Sequence, residues 1–326
     1  MRLSYLKFIC LSSFLLLGAC CLHPSVDDVM LHFQTLSDLL KNVSKHEQLE
    51  QIKSGLPSLD NLIPIVQRGL VVLSGEPGSG KTSLVSNIAV NSLTTSPDLS
   101  CVFVTSELSI PMLIQRMLVA LANVGIQDLN AALHKTPPEA HPQISSALST
   151  LRGIGDRIIF LDLSDVAPCF PHVQDLILSA FDFLRQPQRL LIVDSIQNFV
   201  FDALNMQQVV DSFVGSLSVI AQENVAVLGI SQMPKGTYDS TSMSSLAYST
   251  RLPFVADAIA FLRRKQAEEN PLHILNNTKR AQHARPSGTI VTVRSAKNRL
   301  GPLGETELLF IPRYYRFEEV PHGPVK

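Results

Sequence analysis

Tryptophan is absent from this 326-residue sequence and tyrosine occurs only five times, absences that exclude nothing by themselves. The shortage of cysteine says more. The five present, Cys10, Cys20, Cys21, Cys101 and Cys169, form no C-x-x-C pair, so neither a zinc site nor a disulfide framework is indicated, and they read as small buried apolar residues. Charge is also scarce, at 17% of residues against a 45% hydrophobic share. That balance excludes a disordered chain and leaves material for one large α/β core of about 250 residues plus an extension. A formal net charge of −1 gives the whole chain no nucleic-acid signature, but the charge is unevenly spread. From Arg251 to Lys326 there are 13 Lys and Arg against 7 Asp and Glu, leaving 14 against 21 upstream, so a basic partner surface belongs late in the chain. No internal repeat is visible.

The longest apolar run, Phe8 to Leu22, falls short of the roughly 20 residues that span a bilayer as a helix. Arg2 and Lys7 precede it and Leu17-Gly18-Ala19-Cys20 closes it, the layout of a bacterial lipoprotein signal. The competing reading is an upstream-extended start, with Met30 as initiator, or a tail packed on the core, and the expectation is a cytoplasmic protein. Residues 1–22 are set apart as this signal-like segment and 23–52 as an amphipathic helix and linker. Val26, Val29, Met30, Phe33, Leu36, Leu39, Leu40 and Val43 repeat at helical steps. Such a helix lies on its own domain or docks on a neighbouring subunit. Residues 53–326 remain as the core, entered through a turn at Ser54 to Asp60.

The core is organised around Gly75-Glu76-Pro77-Gly78-Ser79-Gly80-Lys81-Thr82, which fits G-x-x-x-x-G-K-[ST]. It sits between an apolar strand, Leu70 to Leu73, and a helix from Ser83 to Ser92. Glycines let backbone N–H groups curl around a β-phosphate, and the helix N-terminus favours the negative charge. Lys81 supplies a mobile cation to the β- and γ-phosphates, and Thr82 carries a hydroxyl suited to magnesium. ATP and Mg2+ are the cofactors this implies.

Downstream, strand and helix alternate as a mostly parallel, helix-flanked sheet requires. Strands are expected at Cys101–Thr105, Arg157–Leu161, Leu190–Val193 and Val225–Ile230, and helices at Ile110–Val124, Val173–Leu184 and Met206–Gln222. A proline-marked loop at Pro137, Pro138 and Pro142 precedes the second of these strands. Shorter strands, Thr289–Val293, Glu305–Ile311 and Tyr315–Glu319, close the chain. Asp194 ends an apolar strand, as suits a carboxylate holding magnesium through its water shell. Glu107, past the end of another, is a candidate to polarise the attacking water, or else an ordinary helix-start acid. Gln232 is a candidate γ-phosphate sensor, or else a solvated strand end.

The order of the phosphate loop, Val104-Thr105-Ser106-Glu107-Leu108-Ser109, Val193-Asp194-Ser195-Ile196-Gln197, Ile230-Ser231-Gln232 and Lys297-Asn298-Arg299-Leu300-Gly301 resembles the RecA-type ATPase domain of the DnaB-like replicative helicases, with RadA/Sms-like features. The likeness runs from about Lys53 to Val320. It implies an α/β RecA-like P-loop fold with a β-rich C-terminal portion. It also implies that Lys81, Thr82 and the rest of the loop to Ser83 bind nucleotide, Glu107 is the catalytic glutamate, Asp194 the magnesium-side aspartate and Gln232 the switch glutamine. Lys297 and Arg299 match the pair that reaches a neighbour's γ-phosphate; otherwise they are surface charge. The implied partners are single-stranded DNA, further copies in a hexameric ring, and replication or recombination proteins, with the membrane left open by residues 1–22. DNA contact is expected on the loops after Asp194 and Gln232, where Lys235 and Arg251 flank the second, with Lys279, Arg280, His283 and Arg285 as a further cluster. The helical N-terminal domain of DnaB and the zinc module of RadA have no counterpart in the sequence, and a stand-alone core can hydrolyse ATP and bind DNA without processive unwinding; the expectation is an ATP-dependent DNA-binding motor of the DnaB-like helicase family, hydrolysing ATP at subunit interfaces to translocate on or unwind DNA in replication. A non-motor RadA- or KaiC-like ATPase, and an exported lipoprotein with a relic ATPase fold, are the alternatives.

Overall fold

The computed structural model describes residues 50–135, 141–163, 170–199, 206–234, 249–265 and 288–321, together with 243 and 246. The helix expected over 26–43, Lys235 and the cluster at 279–285 lie outside the described residues. So does most of the loop after Asp194.

In chain order the elements are β1 (Gln51–Ile52), α1 (Pro57–Leu62), β2 (Ile65–Val66), β3 (Leu70–Gly75), α2 (Lys81–Thr95), β4 (Leu99–Thr105), α3 (Ile110–Ala122), α4 (Ile126–Lys135) and α5 (Pro142–Ile154). They continue as β5 (Ile158–Asp162), α6 (Phe170–Leu184), β6 (Gln188–Asp194), α7 (Met206–Gln222), β7 (Ala226–Gln232), α8 (Leu252–Val255), β8 (Ala258–Arg264), β9 (Thr289–Asn298), β10 (Glu305–Ile311) and β11 (Arg316–Glu319). Among the described residues nine strands form one sheet in the order β11-β10-β9-β8-β3-β7-β6-β4-β5. From β8 to β5 all neighbours are parallel; β9, β10 and β11 add antiparallel strands at one edge. This is the mostly parallel, helix-flanked sheet with a β-rich end that the residue pattern predicts.

The unbroken apolar runs follow from burial on both faces. Along β3, Val71 and Leu73 enter a core with Leu84, Ile88 and Leu93 of α2 and Leu113 and Met117 of α3. Leu70 and Val72 enter the opposite core, with Phe181 of α6 and Phe213 and Leu217 of α7. Cys101 is fully buried in β4, which pushes its thiol pKa up, as expected of a small apolar residue.

Three local expectations are corrected. Pro142 is not loop but the first residue of α5, where its missing N–H costs nothing. Pro57 likewise starts α1 inside the stretch read as a turn; only Ser54 to Leu56 turn, with the Ser54 N–H donating to buried Asp60 Oδ1 at 2.9 Å. And β9 runs on to Asn298, which takes Lys297 into the sheet. Among the described residues no single helix is long and apolar enough to cross a membrane.

Candidate nucleotide site

Ligands of open α/β sheets bind beyond the carboxyl ends of the strands. Four neighbouring strands, β3, β7, β6 and β4, deliver the expected residues there. The registers align them: Gly75 pairs with Gln232, and Thr105 with Asp194. A cavity of about 400 Å³ lies over these ends, lined among others by Gly78, Lys81, Thr82, Glu107, Asp194 and Gln232.

The loop is shaped for close backbone approach at two glycines. A Cβ on Gly75 would sit 2.5 Å from the Leu262 carbonyl oxygen. Gly80 has φ +97°, and a Cβ there would meet the Phe317 ring at 2.8 Å. Gly80 is the residue that caps α2, so the helix begins directly beneath the loop. Ser79, buried, has an Oγ with no hydrogen-bond partner. Gly75, Pro77 and Ser83 also line the cavity, and Glu76 contributes its carbonyl to Lys81. Lys81 arches over the loop, its Nζ donating to the carbonyls of Gly75 and Glu76 at 2.8 Å each. Burial lowers the Lys81 pKa, against the pull of Glu107, Asp194 and Glu76.

Asp194 is 1% exposed, and neither carboxylate oxygen has a hydrogen-bond partner. Burial raises its pKa to about 6; the Thr82 hydroxyl close by, Lys81 and Arg116 work against that, and Glu107 adds to it. Two orphaned carboxylate oxygens beside a threonine hydroxyl suit magnesium, which takes one or two protein oxygens and keeps phosphates and waters for the rest. Among the described residues no cluster of three or more His, Cys, Asp or Glu is arranged for a metal.

Glu107 stands three residues ahead of α3, whose cap is Ser109, so it is no helix-start acid. Its Oε1 accepts from Gln232 Nε2 at 2.6 Å, Ser195 Oγ at 2.9 Å and Asn198 Nδ2 at 2.9 Å. Gln232 is correspondingly no freely solvated strand end. Its own N–H donates to Gln197 Oε1 at 3.0 Å, and Gln197 Nε2 donates to Ser231 Oγ at 2.7 Å.

Two arginines in the cavity wall escaped the sequence reading, Arg116 and Arg264. The Arg116 guanidinium lies 4.7 Å from the Tyr315 ring centre, and that of Arg264 5.1 Å from the Phe310 ring centre. A lone charge in an apolar helix was the available signal for Arg116. Arg264 offered none until β8 was known to flank β3.

Lys297 and Arg299 are not brought to this cavity. Gly75 is level with Leu262 of β8, Lys297 with Ile259, and the Arg299 N–H donates to the Asp257 carbonyl. At about 3.3 Å per residue the pair is set back by about 10 and about 16 Å along the strand. Their side chains turn to the helix preceding β8: Lys297 Nζ donates to the carbonyls of Pro253 (2.8 Å) and Phe254 (3.3 Å), and Arg299 to that of Phe254 (2.7 Å) and to Asp257 (3.1 Å). Arg251 is the N-cap residue of α8, with its guanidinium against Gly215 of α7.

Comparison with known proteins bears on the family and the fold. The family model for the DnaB-like helicase C-terminal domain matches residues 51–319. The replicative DNA helicase DnaB of Geobacillus stearothermophilus is 27% identical over 305 residues, covering 90% of this chain. The chain spans 61% of that relative's length. Among solved structures, a DnaB-like replicative helicase described with its interactions with primase superposes with a TM-score of 0.67 at 19% identity, covering 92% of this chain and 68% of that one. A KaiC-like protein from Pyrococcus horikoshii does so with a TM-score of 0.54 at 14% identity, covering 84% of this chain and 100% of that one. These two likenesses speak to the fold.

Proposed function

The chain belongs to the DnaB-like helicase C-terminal domain family, and from that premise we propose that it is an ATP-hydrolysing motor that acts on single-stranded DNA as a homo-oligomeric ring, in replication. One observation carries the reading: phosphate loop, Glu107, Asp194 and Gln232 converge on one cavity while Lys297 and Arg299 of the same chain are held away from it.

In this reading the loop from Gly75 to Ser83 holds the phosphates of ATP, and Lys81 exchanges its two carbonyl acceptors for phosphate oxygens. Thr82 and Asp194 would hold Mg2+, which when bound neutralises charge on the transferring phosphoryl group. Glu107 accepts a proton from the attacking water, and Gln232, bonded to Glu107, ties the state of that carboxylate to the loop that follows β7. Hydrolysis completes when a second copy brings Lys297 and Arg299 to the γ-phosphate, where an arginine is worth orders of magnitude in rate. DNA engages the loops after β6 and β7, with Lys235 and Arg251 at the second, by salt-sensitive and nearly sequence-blind contacts.

ATPase rate with and without single-stranded DNA, measured alongside oligomer mass, tests this. Stimulation by DNA in an assembled species is expected; DNA-independent turnover would move the chain to the RadA- or KaiC-like non-motor reading. A cytoplasmic location belongs to the same proposal, and an acylated Cys20 in the native protein's mass would contradict it.

A further inference from the structure

One oxygen of Glu107 is taken up by the chain's own donors. Gln232 Nε2, Ser195 Oγ and Asn198 Nδ2 all donate to Oε1, at 2.6, 2.9 and 2.9 Å. A carboxylate offers about two lone-pair directions on each oxygen, so three donors leave none on Oε1 for the proton of a water. The donors belong to one assembly. Gln197, buried, accepts the Gln232 N–H through Oε1 at 3.0 Å and donates through Nε2 to Ser231 Oγ at 2.7 Å, tying the chain after β6 to the end of β7. Ile196 seats the short 3-10 turn Ile196–Phe199 over β7, where a Cβ on Gly229 would meet Ile196 Cδ1 at 2.7 Å. Ser195 and Gln197 are buried in this assembly, whereas Asn198 is only half-buried.

Resting on the reading of the chain as a DNA-engaging ATPase, we propose that Asn198 restrains Glu107 in the resting chain, and that single-stranded DNA raises ATP turnover by drawing this amide away from the carboxylate. Asn198 is the donor placed for exchange. It stands four residues past the end of β6, where the chain enters the first loop on which DNA contact is proposed, and solvent reaches it. An amide that donates to a carboxylate suits a phosphate oxygen equally, and such a contact carries no sequence information. DNA shifts the balance because it binds the released amide and not the tethered one. Withdrawal frees a lone pair of Oε1 for the attacking water, while Ser195 and Gln232 go on holding the carboxylate in place. Lys81 is satisfied in the same way across the cavity, by the carbonyls of Gly75 and Glu76, so both groups rest on their own chain. Asn198 is therefore a positioning residue that acts as a brake, and its removal speeds the reaction.

The test is steady-state ATP turnover of the full chain with Mg2+, with and without oligothymidylate, at a protein concentration where wild type and variants have the same mass by sedimentation. Asn198→Leu keeps the shape of the side chain and removes the amide; Asn198→Ala removes both. Each should raise DNA-free turnover by at least about threefold, well within the roughly tenfold that one hydrogen bond to a charged group is worth. KM for ATP should stay near wild type. The DNA-stimulated rate should be no higher than that of wild type, so the fold stimulation shrinks. Damage to the fold lowers a rate, so a gain separates the brake from a structural role. Adding Glu107→Gln to Asn198→Leu should abolish the gain, because the gain runs through Glu107. DNA-free turnover that is unchanged or lower, in either variant that keeps the wild-type melting temperature, overturns the restraint. So does a gain that survives Glu107→Gln. A gain with undiminished fold stimulation overturns DNA as the releasing partner. Wild-type protein indifferent to oligothymidylate is a separate result and defeats the DNA-motor reading itself.

Discussion

Gln232 Nε2 donates to Glu107 Oε1 at 2.6 Å, joining the ends of β7 and β4 across the end of β6 that lies between them. Ser195, just past β6, donates to the same oxygen. The carboxylate is thus held by three strands at once, while the strand after which a DNA-engaging loop is proposed ends on its hydrogen-bond partner.

Glu107→Gln should leave nucleotide affinity near wild type and lower ATP turnover by at least about a hundredfold, the range for losing a positioned base. Gln232→Ala should also keep binding but lower turnover less, and it should lose the response to DNA. Nucleotide titration beside phosphate release separates the two effects. Normal turnover by Glu107→Gln would remove Glu107 from the base role.

Gly80 is pinned by both its backbone and its neighbours. At φ +97° with a Cβ only 2.8 Å from Phe317, and with that ring stacked on Phe310 at 4.6 Å, nothing can yield easily. Gly80→Ala should destabilise by roughly 1–3 kcal/mol, the usual toll of overpacking. Adding Phe317→Leu should recover part of the loss, which a double-mutant cycle of denaturant midpoints would measure. Full stability in Gly80→Ala would show that the floor of the loop is softer than its contacts imply.

Asp194 makes ligand-free stability depend on pH with an unusual sign. With its pKa raised to about 6 by burial, the folded chain binds this proton more tightly than the unfolded one. Its contribution therefore favours folding at low pH and is lost as pH rises from about 4 through about 6. Asp194→Asn should remove that dependence and stabilise the ligand-free chain at pH 7 by roughly 3 kcal/mol. Urea midpoints at pH 4.5 and 7 check it; equal gains at both would contradict the burial account.

What the residues disclosed in advance, and what they did not, divides along sequence distance. The phosphate loop was legible because backbone approach to phosphate demands glycine at fixed spacing, and β3, β4, β6 and β7 because runs such as Leu190 to Val193 permit little but a doubly buried strand. Helices α4 and α5 were missed: Pro142 reads as a breaker unless it is recognised as a first residue, and α4 is short. The Glu107–Gln232 contact spans 125 positions and needs the strand order to bring β4 near β7. The tether of Lys297 and Arg299 to Phe254 depends on an antiparallel pairing of β8 with β9 that no local pattern announces.

Loss of Lys81 should reduce turnover by at least about a hundredfold, as removal of groups that meet developing charge does. Nucleotide affinity should fall as well, since the ammonium also meets ground-state phosphate. A Lys81→Ala chain with unaltered turnover would leave the loop without its proposed chemistry.

Whether the site is shared between copies is decided by mixing two inactive variants. Lys81→Ala lacks its own phosphate cation but carries an intact Lys297 and Arg299; Arg299→Ala is the reverse. Each alone should be nearly inactive. Mixed under conditions that exchange subunits, they should recover part of the wild-type ATPase rate, in proportion to interfaces where an Arg299→Ala copy holds ATP and a Lys81→Ala copy supplies the arginine. Recovery should grow with protein concentration, because assembly does. No recovery despite demonstrated subunit mixing would contradict the claim and leave Arg299 as a support for α8 within its own chain.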